Sequence, residues 1–168
     1  MKLTQPVWPR FLPTKWVVGI ATLGPVGMNL PAPGTWGSLA GVLYFTVFFF
    51  TLSWPGYLVL AAVGLYVAVG LCGEAEVRMG RTDPGEVILD EFTAMPLCYL
   101  GWRSLAEVAP IWVVVLAGFG LFRLFDVVKP FGIYRLQKLP GGWGVVIDDV
   151  AAALATCVVL HGLRLMWR

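Results

Sequence analysis

The chain reads as an all-α membrane protein: a polytopic helical bundle of about four to five membrane-embedded helices with an acidic site facing the cytoplasm. Three observations predict it. Hydrophobic residues make up 58% of the 168 and charged residues 13%, whereas soluble domains run at about 25% charged, and mean hydropathy is +0.79. Apolar runs recur between short breaks of proline, glycine and charge. The carboxylates gather at the ends of those runs and not in separate polar segments.

All of residues 1–168 are taken as one integral-membrane domain, with 1–30 as an N-terminal interfacial segment. A net charge of +2 gives no footing for nucleic acid, which is bound by neutralising many phosphates. Cys72, Cys98 and Cys157 are odd in number and sit in apolar runs, so they read as buried thiols with no disulfide framework. Pro6, Pro9 and Pro13 interrupt the start of the chain, so no secretory signal is expected there.

In chain order, residues 16–23 predict a short helix ended by Gly24-Pro25, too short to span. The loop from Asn29 to Ser38 then leads into an apolar helix over 39–52, with Ser38 expected as its N-cap. No acid occupies that first turn, so the free N–H groups of Thr35 to Ser38 are expected to meet a phosphate. Ser53-Trp54-Pro55-Gly56 separates it from a second run over 57–73, and the pair predicts a helical hairpin. Glu74 and Arg78, four apart, favour a helix continuing past the membrane. Cys72 and Arg78 also match the C-x5-R spacing of cysteine phosphatases, but Glu74 and Glu76 between them would repel a phosphate, and an apolar setting raises a thiol pKa.

The acidic stretch Asp83 to Glu91 abuts the third apolar run, 87–102. Were 86–99 helical, Asp83 and Asp90 would share a face, with Glu91 beside them. The fourth run, 108–122, ends in Arg123, Asp126 and Lys129, spaced three apart before Pro130. After a loop over 131–144, Asp148 and Asp149 interrupt a final apolar run that continues to about Leu163. Adjacent acids inside such a run are costly unless they are paired or ligate a metal, and metal ligation is the favoured reading. His161, the single histidine, reads as a packed residue.

With the N-terminus inside, nine of the Lys and Arg residues (Lys2, Arg10, Lys15, Arg78, Arg81, Arg123, Lys129, Arg135, Lys138) fall on the cytoplasmic side and three (Arg103, Arg164, Arg168) outside. That arrangement places Asp83, Asp90, Glu91, Asp126, Asp148 and Asp149 on the cytoplasmic side as well. Clustered carboxylates without histidine or thiolate suit Mg²⁺, and Arg123 and Lys129 suit phosphate oxygens. The chemistry this predicts is phosphoryl transfer at a membrane surface, through water or an aspartyl nucleophile. A small cation transporter or channel is the alternative, although its polar groups belong near the midplane and not at one boundary.

Gly34-Thr35-Trp36-Gly37-Ser38-Leu39, Asp83-Pro84 with Asp90-Glu91, Phe122-Arg123-Leu124-Phe125-Asp126 with Lys129-Pro130, and Gly142 with Asp148-Asp149 occur in that order. Together they resemble the phosphatidylglycerophosphatase A family over about residues 30–155. The resemblance implies Mg²⁺-dependent hydrolysis of phosphatidylglycerophosphate to phosphatidylglycerol, a step of phospholipid biosynthesis at the bacterial inner membrane. Carried over by position, it implies metal ligands among Asp83, Asp90, Glu91, Asp126, Asp148 and Asp149. It also implies catalytic roles for Asp83, Asp90, Glu91, Asp126 and Asp149, and phosphate binding by Arg123 and Lys129. Thr35 and Ser38 join the phosphate-binding set on the helix-dipole argument alone. Trp36 is an aromatic departure that leaves the charges untouched, and Glu74 and Glu86 are held as supporting carboxylates.

Overall fold

A computed structural model of the chain describes residues 4–166, the side chain of Phe131 excepted, so the expected positions of Lys2 and Arg168 lie outside the described residues. The described residues form helices joined by loops and turns, with no strand. Among the described residues, three helices are long and apolar enough to cross a membrane: Trp54–Met79 (26 residues), Ile111–Val128 (18) and Gly142–Met166 (25).

The N-terminal helix α1 (Thr14–Ala21) ends at a turn where Gly24 adopts φ 64°, a conformation glycine takes without a Cβ penalty. α2 (Pro25–Asn29) follows. Arg78 ties this region down, donating to the carbonyls of Pro9, Arg10 and Leu12 while its Nε bonds Glu74 Oε1 at 2.9 Å. The expected Glu74–Arg78 pair therefore forms, on the buried side of the helix.

The next helix, α3, runs Pro33–Tyr44 and continues as a π-helical turn, Phe45–Phe49. It begins six residues before the expected start, because proline is well suited to the first helical position. Ser38 is consequently no N-cap: it lies inside the helix, fully buried, and its hydroxyl donates back to Gly34 O at 2.8 Å. The predicted hairpin partner is α4, Trp54–Met79, whose C-terminus is closed by Gly80 at φ 65°.

The third apolar run is not one continuous helix. α5 (Leu89–Ala94) lasts six residues and gives way at Pro96 to a 3-10 turn, Met95–Tyr99. The whole segment is enclosed by the other helices, and its freed backbone groups find partners: Tyr57 Oη donates to Pro96 O (2.6 Å). α3 approaches α5 closely because Gly37 and Gly41 face it; a Cβ at Gly41 would stand 2.5 Å from Met95 Cβ. This Gly-x-x-x-Gly spacing serves close packing, where the expectation for the stretch was an anion-binding loop.

After α6 (Trp102–Leu105), the helices α7 (Ile111–Val128) and α8 (Gly142–Met166) run antiparallel, joined by a 3-10 segment, Pro130–Lys138. Lys129 meets Asp148 at one end of the pair, and Glu107 meets Arg164 at the other (2.9 Å). α8 starts at Gly142, three residues earlier than expected, where a Cβ would overlap Val69 O of α4. The C-terminus of α4, the C-terminus of α7 and the N-terminus of α8 thus converge. A core of Val17, Ala21, Ala68, Leu71, Val87, Leu89 and Val146 lies beneath that end.

Candidate active site

Six carboxylates line one open cavity of about 180 Å³ at this convergence: Asp83, Asp90, Glu91, Asp126, Asp148 and Asp149, together with Lys129, Gly85, Val87 and Val145. They come from four separate stretches: the loop after α4, α5, the end of α7 and α8. The structure brings together all six acids singled out in the sequence. The route differs for Asp83, which does not share a helical face with Asp90. Residues before Leu89 are loop, and Asp83 reaches the cavity from a left-handed turn at φ 47°.

Asp90, Glu91 and Asp149 form the inner part, each offering an oxygen within 4.8 Å of the others. Asp90 Oδ1 and Glu91 Oε2 are buried with no hydrogen-bond partner among the described residues, as is Asp148 Oδ1. Orphaned carboxylate oxygens at this depth are expensive. A hard divalent cation with oxygen ligands meets that deficit, so the residues present fit Mg²⁺. α5 is not one of the spanning helices, and burial is the first cause that raises the pKa of both its acids. The neighbouring charge of Glu91 adds to it at Asp90, and those of Asp149 and Asp126 at Glu91.

The cations are committed to individual acids. Arg123 Nη1 donates to Asp126 Oδ2 (2.7 Å) and to Ser38 Oγ (3.4 Å), and lies 3.6 Å from Glu91 Oε1. Lys129, held at φ 47° just past α7, bonds Asp148 and lies 4.0 Å from Asp126 Oδ1. Burial opposes the charge on Lys129, but the bond to Asp148 outweighs it and holds the ammonium above its ordinary pKa. Of the expected phosphate ligands, Lys129 lines the cavity and Arg123 sits behind it. Ser38 supports Arg123, and the exposed Thr35 is not among the lining residues.

The glycine-rich start of α3 has a steric task at this site. A Cβ at Gly34 would overlap Glu91 Oε1 and stand 3.2 Å from Arg123 Nη1; one at Gly37 would stand 3.2 Å from Glu91 Oε2. The two glycines make the seat on which the Glu91 carboxylate rests. Two further residues were not singled out as site members in the sequence. Gln137 Nε2 donates to Asp83 Oδ2 (3.3 Å), and Glu76 Oε1 accepts from the Asp83 N–H (2.6 Å). Glu86 pairs with Arg81 (2.9 Å) and Glu74 with Arg78, neither lining the cavity.

The profile of the family described as phosphatidylglycerophosphatase A matches residues 19–164. A protein of Haemophilus influenzae named phosphatidylglycerophosphatase A is 37% identical over 82% of this chain and 82% of its own length. One of Escherichia coli K12 with the same name is 32% identical over 84% and 79%. A Bacteroides thetaiotaomicron protein with the provisional name phosphatidylinositol-3-phosphatase is 32% identical over 93% and 96%. No solved structure matches the chain. The matched residues contain every carboxylate of the cavity, its one lysine and the Arg123 behind it, and on that footing the chain belongs to the phosphatidylglycerophosphatase A family.

Proposed function

We propose that this protein removes the terminal phosphate from phosphatidylglycerophosphate, giving phosphatidylglycerol and inorganic phosphate in phospholipid biosynthesis, with Mg²⁺ as cofactor. The observation that carries the reading is the cavity at one end of a bundle with three apolar spans, where six carboxylates surround one lysine. Such a cavity repels a phosphate dianion until a cation neutralises it, which favours a metal-dependent reaction. Asp90, Glu91 and Asp149 would hold Mg²⁺, with Asp148 beside them. Bound there, the ion supplies Lewis-acid polarisation of phosphorus and a lowered pKa for water.

The chain's own groups divide the remaining work by their partners. Arg123 fixes Asp126 and Glu91 in place. Lys129 is the cation that faces the cavity, and it can exchange Asp148 for a phosphate oxygen. Asp83 lies outside the buried triad, has no cationic partner among the described residues, and is exposed where the cavity opens. It is the group placed to take a proton from an attacking water. As the water oxygen bonds phosphorus, the phosphorus–oxygen bond to glycerol breaks, and the alkoxide leaves with the proton Asp83 accepted.

The site is read as cytoplasmic and the membrane as the bacterial inner membrane. Arg78, Arg81, Lys129, Arg135 and Lys138 lie at the cavity end of the helices, whereas Arg103 and Arg164 lie at the other. The test is phosphate release in detergent micelles from phosphatidylglycerophosphate, phosphatidylinositol 3-phosphate and phosphatidic acid, each with Mg²⁺ and with EDTA. Mg²⁺-dependent release that is fastest from phosphatidylglycerophosphate is expected. Faster release from the inositol lipid would reassign the substrate, and no release from folded protein would return attention to cation transport.

A further inference from the structure

We infer that Glu76 and Gln137 are positioning residues that hold the Asp83 carboxylate at the open side of the cavity, an inference that rests on the phosphatase reading above. Asp83 and Gly85 are the exposed members of the lining, so the loop carrying them forms the cavity's outer wall. Unlike its five companions, Asp83 sits on no helix, and nothing in the loop's own secondary structure fixes where its carboxylate points.

Two contacts from outside the loop do. Glu76, in the last turns of α4, accepts the Asp83 backbone N–H at 2.6 Å and so stabilises the left-handed turn at φ 47°. Gln137, on the 3-10 segment between α7 and α8, donates its side-chain amide to Asp83 Oδ2 at 3.3 Å. One residue sets the backbone and the other orients the side chain, each from an element outside the loop. A neutral amide suits this task, because it orients a carboxylate without neutralising it as Lys129 does for Asp148. Neither Glu76 nor Gln137 lines the cavity, so their effect on the reaction passes through Asp83.

The experiment is a double-mutant cycle on phosphate release, with Gln137→Ala made in the native background and in Asp83→Asn. Asparagine also tolerates a left-handed backbone, so Asp83→Asn changes the charge and leaves the turn intact. Gln137→Ala is expected to lower kcat about 10-fold in the native background, with KM changed less than about twofold, and to cost nothing further once Asp83 is Asn. Glu76→Ala is expected to behave as Gln137→Ala. Glu76→Gln keeps a carbonyl oxygen for the Asp83 N–H and is expected to restore most of the rate. Equal losses from Gln137→Ala in both backgrounds, or none in either, would overturn the inference, as would Glu76→Gln as poor as Glu76→Ala. Should Gln137→Ala fail to fold, the two Glu76 variants decide the matter. A native protein that releases no phosphate would instead refute the phosphatase reading on which the inference rests, whereas an Asp83→Asn variant of full activity would leave that reading standing and overturn the role of Asp83 and this inference with it.

Discussion

Substituting Gly34 by alanine separates the geometry of the site from the stability of the fold. The added Cβ would overlap Glu91 Oε1 and stand 3.2 Å from Arg123 Nη1. Both obstructing atoms are ends of flexible side chains, so the fold can give way locally. To regain ordinary contact, the Glu91 oxygen must retreat by about 1 Å, a misplacement that costs on the order of 10²-fold in rate when it befalls a catalytic group. Alanine is also the better helix former, by up to about 1 kcal/mol, which offsets part of the crowding. Gly34→Ala is therefore expected to lower phosphate release about 100-fold and weaken Mg²⁺ binding, with Tm moving by less than about 3 °C. Gly120→Ala, where a Cβ meets nothing within 4 Å, is the control and should retain native activity. Tryptophan fluorescence on heating and initial rates across a Mg²⁺ titration measure both quantities. Native activity in Gly34→Ala would refute the seat assigned to Glu91, and so would activity lost only in step with unfolding.

Three further outcomes follow from the same contacts. Asp90 and Glu91 have raised pKa values in the metal-free fold, so their contribution to stability is full below the ordinary carboxylate range and is lost as pH rises through the raised values. Metal-free protein should melt lower at pH 8 than at pH 5.5, while the increase in Tm on adding Mg²⁺ should be larger at pH 8; calorimetry with and without EDTA checks both. Gly142→Ala places a Cβ against the backbone oxygen of Val69, which no side-chain rotation can relieve. It should depress Tm strongly and prevent α8 from seating, as seen in the yield of folded protein. Arg78→Ala leaves the buried Glu74 only the exposed Arg10, 3.8 Å away, and frees three carbonyls of the N-terminal segment, for an expected loss of about 3 kcal/mol. Protease nicking near Arg10 should rise, with the rate per folded molecule little changed.

Much of this site was legible in the sequence because charge in an apolar chain is informative wherever it falls. Asp148 and Asp149 stood out inside an uninterrupted run, and the topology that gathered all six acids was set by counting Lys and Arg alone. What periodicity could not show was how the acids arrive together. Asp83 reaches the cavity through a left-handed turn, which no helical face anticipates. The run over 87–102 is apolar enough for a span, yet Pro96 breaks it, and its enclosure depends on helices distant in sequence. The glycines of α3 suggested an anion-binding loop, because a proline and glycine cluster before an apolar run resembles a helix entrance. They are instead the helix itself, and their function is clearance for Glu91 and Met95. Gln137 and Glu76 carry no pattern in the sequence at all, because their partner lies far along the chain or across a turn.

The central claim is that the buried carboxylates Asp90, Glu91 and Asp149 hold the cation on which phosphate release depends. Binding of Mn²⁺, followed by its electron paramagnetic resonance signal, should be measured alongside phosphate release in native protein and in Asp90→Asn, with folding verified for each. The account predicts that native protein binds Mn²⁺ and releases phosphate only when a divalent cation is present, and that Asp90→Asn loses both properties while its metal-free Tm stays level or rises. Undiminished Mn²⁺ binding in a folded Asp90→Asn, or release from native protein that persists in EDTA, would contradict it.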